Sequence, residues 1–169
     1  MIKDNFHEKI ALLLSFLILN NYLFLSLNFS QLLIKINFII FLLIVLIFYF
    51  QNFLQNPYLK IFFLLIIFIS LGVPASEWDP RSIWLFHAKR IFYDNSIFSV
   101  ADNYASFSHN EYPTLVPAFA SSLAVLVGHW NEVFPKLSFS LMFLPPLIFT
   151  YAFLKNTKYL IFLSIIFFT

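Results

Sequence analysis

Residues 10–28 read IALLLSFLILNNYLFLSLN, and no charge occurs anywhere between Lys9 and Lys35. A helix needs about 20 mostly apolar residues to cross the hydrocarbon core of a bilayer, and this run supplies them. Charges cut the rest of the chain into comparable lengths. A second apolar run fills 36–53, between Lys35 and Lys60, and a third begins near Lys60 and ends near Pro74. After a polar stretch at 75–112, further runs occupy 113–128 and 133–154, the last with Lys136 near one end and Pro145-Pro146 inside. A final run starts at Tyr159 and reaches only Thr169. The spacing predicts an all-α fold, a polytopic transmembrane helix bundle. Residues 1–74 hold three transmembrane helices, 75–112 form a long outer loop with an amphipathic interfacial helix, and 113–169 hold two more crossings and the start of a sixth. That last run is too short to cross, so the expectation is a truncated chain.

Composition agrees. The chain is 61% hydrophobic and 11% charged, against about 45–50% apolar and about 25% charged in an average soluble domain. With 25 Phe, 8 Tyr and 3 Trp it is far from the polar, aromatic-poor make-up of disordered chains. The lack of cysteine excludes disulfides and thiolate chemistry. A net charge of +2 is too small for a nucleic-acid partner, and two glycines leave no Gly-rich phosphate loop. The bilayer is the partner the composition calls for.

The first run is too long for the apolar core of a signal peptide, and no small-x-small cleavage pattern follows it. Asn20 and Asn21 inside it are costly unless they face another helix, and the Pro pair at 145–146 removes backbone donors and predicts a kink. Lys3 and Lys9 place the N-terminus in the cytoplasm by the positive-inside tendency, which puts 75–112 on the outer face.

That loop concentrates the polar chemistry. It holds Glu77, Asp79, Asp94, Asp102 and Glu111, five of the eight acids, with both arginines, Lys89, His87 and His109. Asp79-Pro80 is a helix-start signal, Asp at the cap and Pro in the first turn. At 100° per residue Trp84, Leu85, Ala88, Ile91 and Phe92 share one stripe, with Lys89, Arg90, Asp94 and His87 away from it. Such a helix suits the membrane interface, apolar face toward the acyl chains, and a plain anchor would look the same. Asp79 as a cap, Glu77 as a solvated acid, and either as a general base toward a hydroxyl all fit the spacing. Nearby Arg and Lys are suited to hold a phosphate. A metal set drawn from Glu77, Asp79, His109 and Glu111 has no spacing that fixes it, and no cofactor is called for.

The order of span, Glu77-Trp78-Asp79, the helix Ser82–Arg90, and then His109-Asn110-Glu111-Tyr112-Pro113-Thr114-Leu115-Val116-Pro117 resembles the first outer loop of the GT-C glycosyltransferases. These are polytopic enzymes that use polyprenyl-phosphate sugars, among them protein mannosyltransferases and lipid A aminoarabinose transferases. The likeness covers about residues 60–155 and is nearest to bacterial members, which implies the bacterial cytoplasmic (inner) membrane with the loop on the periplasmic side. It implies transfer of a sugar from a polyprenyl-phosphate donor to a hydroxyl acceptor on a lipid, glycan or protein. Asp79 matches the catalytic base, with Glu77 as the alternative or second acid. Arg81, Lys89 and Arg90 match donor-phosphate contacts, and His109, Glu111 and Tyr112 match the substrate-binding end of the loop. The chain departs from the family in carrying Glu111-Tyr112-Pro113 where the aminoarabinose transferases often have Lys-Pro-Pro. Two extra spans also precede the usual first one. Other readings are a non-enzymatic membrane protein, such as a transporter or accessory piece, and an inactive gene fragment. A transporter would carry ionisable groups inside its spans, and these carry essentially none.

Overall fold

The computed structural model describes residues 6–48, 57–72, 78–98 and 108–154. Glu77, Asp102 and the run from Tyr159 lie outside them. Among the described residues the chain is all-helical, with no strand. Its α-helices are α1 (Phe6–Ser26), α2 (Gln31–Phe48), α3 (Pro57–Gly72), α4 (Leu85–Asp94), α5 (Leu115–Val127) and α6 (Leu137–Leu154). A wide π-type turn, Pro80–Trp84, leads into α4, and a 3-10 turn, Phe134–Lys136, leads into α6.

α1 is the one described helix long and apolar enough to cross a membrane; shorter apolar helices occupy Gln31–Ile47, Leu115–Val127 and Phe134–Thr150. α1 is apolar all round but has two unlike sides. Leu14, Leu17, Ile18, Asn21 and Leu25 are buried, while Leu12, Phe16, Leu19 and Leu23 are exposed. The same outward display continues on α2 (Ile36, Leu43, Ile47) and on α3 (Leu64, Phe68), with Phe68 77% exposed. Soluble monomers rarely expose apolar patches beyond a few hundred Å².

The α1–α2 turn is set locally. Asn28 takes the left-handed conformation at φ 54°. Phe29 N–H donates to Phe24 C=O (2.8 Å) and Asn28 N–H to Leu25 C=O (3.2 Å), the Schellman pattern of a helix C-terminus. The hydrophobic contact that accompanies this motif is Phe24 against Phe29, ring centroids 5.4 Å apart. The two asparagines inside α1 do face another helix. Asn20 donates to Asn37 Oδ1 at 2.9 Å, and Asn37 donates to Asn21 Oδ1 at 2.6 Å.

α6 runs antiparallel to α1. Ile10, Ala11 and Leu14 cluster with Leu144 and Ile148, whereas Leu137, Leu141 and Met142 pack on the cluster that holds Leu17, Ile18 and Leu25. The end of α3 meets the start of α6, where Lys136 Nζ donates to Leu71 C=O at 3.4 Å and the Ser70 and Ser140 hydroxyls are hydrogen-bonded. Pro145 and Pro146 both lie within α6.

α4 and α5 lie against the α1–α2 turn. Gln31 Nε2 donates to Phe92 C=O (3.0 Å), Asn95 Nδ2 to Phe29 C=O (2.9 Å), and Phe38 stacks on Phe119 at 6.4 Å. The apolar stripe of α4 differs from its expected use. Leu85, Ala88, Ile91 and Phe92 are buried, and α4 packs chiefly on α5. An apolar neighbouring helix offers the stripe the same removal from water as acyl chains would, with close packing added.

Candidate functional site

Asp79 does not cap the loop helix. Its backbone is helical (φ −59°, ψ −48°), and its side chain makes no cap hydrogen bond. Trp78 and Asp79 already form helical turn, and Leu85 N–H reaches back to Pro80 C=O. The helix therefore begins before the Asp-Pro pair, and the carboxylate stands exposed.

The second segment of the site is the turn at 108–114. His109 is left-handed at φ 52°, and Tyr112 N–H donates to its carbonyl at 3.0 Å. This folds the His109 ring onto Tyr112, centroids 4.8 Å apart and nearly parallel. It also brings His109 Nδ1 to 3.0 Å from Glu111 Oε1. Tyr112 in turn meets Trp84 at 5.9 Å. The Glu111 carboxyl is held below the usual glutamate range, first by its own backbone N–H and then by the His109 hydrogen bond, with the His109 and His87 charges in support.

His87 ties the two segments together. It is 8% exposed, and its Nε2 lies 2.8 Å from Ser108 C=O. A carbonyl only accepts, so Nε2 is the donor in this contact. One turn on, Arg90 donates through Nη1 to Ser96 C=O (3.2 Å) and through Nη2 to Ile97 C=O (2.7 Å), with Asp94 Oδ2 3.7 Å away. Its fork holds the chain that leaves α4.

Between these segments lies a cavity of about 200 Å³, whose wall includes Trp84, His87, Arg90, Asn110, Tyr112 and Thr114. Thr114 Oγ1 is 3.2 Å from the Tyr22 hydroxyl of α1, so the cavity sits beside the last turns of that helix. Of the residues nominated from sequence, Arg90 and Tyr112 share its wall, and His109 and Glu111 adjoin it through the Tyr112 ring. Asp79, Arg81 and Lys89 are exposed and outside the wall. Sequence reading did not nominate His87, Asn110 or Thr114; the one available signal was His87 three residues before Arg90, on the same helical face. Among the described residues no group of three His, Asp or Glu is placed to hold a metal ion.

Comparison with family models, characterised proteins and solved structures finds no match to this chain.

Proposed function

We propose that this is a multi-pass protein of the bacterial inner membrane and a glycosyltransferase of the GT-C type, moving a sugar from a polyprenyl-phosphate donor to a hydroxyl on a lipid, glycan or protein. The membrane part rests on the outward apolar faces of α1, α2 and α3, which in water would be a severe liability. The catalytic part rests chiefly on one observation: Asp79 is exposed and makes no cap hydrogen bond. A carboxylate not committed to capping is open to accept a proton. It heads the segment that supplies Trp84, His87 and Arg90 to the cavity.

In this reading the acceptor oxygen attacks the sugar C1 while Asp79 takes its proton, and the C1–O bond to phosphate breaks. Polyprenyl phosphate leaves with the bonding electrons, and the anomeric configuration inverts. Arg81 and Lys89 are exposed cations on the segment that follows Asp79 and supply the phosphate contacts, stabilising charge as it develops. Arg90, whose fork grips Ser96 and Ile97, positions the loop.

The test uses membranes carrying the protein and a polyprenyl-phosphate donor labelled in its sugar. Asp79→Asn should lower transfer about 10²–10⁴-fold at equal protein level, the usual contribution of a general base. Equal transfer by both proteins, or none by either, would overturn the reading.

A further inference from the structure

We propose that residues 115–127 do not cross the membrane, so that the described segments 78–98 and 108–136 lie on one face, with His129 and Glu132 in the same compartment as Asp79. The inference rests on the membrane reading above and goes beyond it.

Length is the first argument. α5 has 13 residues, about 20 Å at 1.5 Å per residue, against about 30 Å of hydrocarbon. The second is what surrounds it. Every residue from Pro117 to Val125 is buried, whereas α1 keeps one stripe inside and one outside. A helix at membrane depth that is wrapped by protein on all sides has no lipid-facing surface and needs no full crossing.

The third argument is direction, and it decides the matter. α5 begins next to Thr114, whose hydroxyl meets Tyr22 in the last two turns of α1. It ends at Gly128, where an added Cβ would lie 3.7 Å from Nζ of Lys35, in the second turn of α2. Both ends of α5 therefore sit at the same end of the α1–α2 hairpin. The next residues stay there: Trp130 meets Phe92 at 6.0 Å, and Lys136 reaches the last turn of α3. A crossing at 115–127 would start α6 on the opposite face and run it parallel to α1, but the two are antiparallel. The crossings are α1, α2, α3 and α6, with α4 and α5 together closing one end.

The chain contains no cysteine, so single cysteines report sidedness cleanly. Tyr93→Cys marks the loop face, Lys9→Cys the face where α1 begins, and Glu132→Cys the disputed segment; all three positions are exposed. His129→Cys, also exposed, repeats the measurement if Glu132→Cys accumulates poorly. Each is treated with a membrane-impermeant maleimide before and after permeabilisation. The expected result is that Glu132→Cys and His129→Cys label under the same condition as Tyr93→Cys, and Lys9→Cys under the other. Labelling of Glu132→Cys with Lys9→Cys would show that α5 crosses and would overturn the proposal. Identical labelling at every position, together with release of the protein by alkaline carbonate, would overturn the membrane reading and this proposal with it.

Discussion

Asn37 is the sharpest place to test how α1 and α2 hold together. It accepts from Asn20 and donates to Asn21. Asn21 is 0% exposed, and its Nδ2 has no hydrogen-bond partner. Asn37→Leu removes both bonds and leaves the whole Asn21 amide buried without a partner. An orphaned buried polar group costs about 1–3 kcal/mol, and an interhelical bond in a bilayer averages about 0.6 kcal/mol. The single variant should therefore lose about 2–3 kcal/mol. Asn21→Leu loses one bond but also removes a donor that is already unpaired, so it should stay within about 1 kcal/mol of the parent. The double variant replaces both partners of that bond with apolar groups and should be more stable than Asn37→Leu alone by about 1–2 kcal/mol. Reversible unfolding by SDS in mixed micelles measures all four corners of the cycle. A double variant as unstable as Asn37→Leu, or less stable, would refute the view that the burial of an unpaired Asn21 sets the cost.

Other expectations follow from single observations. Asp79→Ala should change stability by less than about 0.5 kcal/mol in the same assay, because no cap bond is present to lose; a true cap would cost about 0.5–2 kcal/mol. Ile91, 0% exposed between α4 and its neighbours, should cost about 2–5 kcal/mol as Ile91→Ala and open the loop to limited proteolysis, while Tyr93→Ala on the exposed face should not. The Glu111 carboxyl, followed by NMR, should titrate below the ordinary glutamate range, and His109→Ala should raise it part-way, since the backbone N–H remains. Because the folded-state pKa is the lower one, the linked stabilisation is complete above the unfolded glutamate pKa and is lost as pH falls through the folded value. Glu111→Gln should flatten that acid-side dependence.

Much of the helical frame was legible because its causes are local. The uncharged run 10–28 marks the body of α1, which starts one turn earlier at Phe6, and Asn28 adopts the left-handed turn that follows its end. Pro57 opens α3, and the Phe134–Lys136 turn precedes α6 inside the run read as 133–154. A smaller part of the cavity wall was legible as well, since Arg90 and Tyr112 stand out by type in a loop rich in polar groups. His87 did not, because a histidine on a helix gains its role only from the Ser108 carbonyl brought to it from across the loop.

Three features belonged to tertiary structure. Asp79-Pro80 carries every local mark of a helix start, yet helical turn extends back to Trp78, which the dipeptide cannot reveal. The stripe on α4 is an apolar face in any medium, and only the placement of α5 decides that protein covers it. An apolar run such as 115–127 states a preference for leaving water, which burial in protein satisfies as well as lipid does. Its direction is set by where Tyr22 and Lys35 receive its two ends, contacts that join residues about 90 apart in the chain.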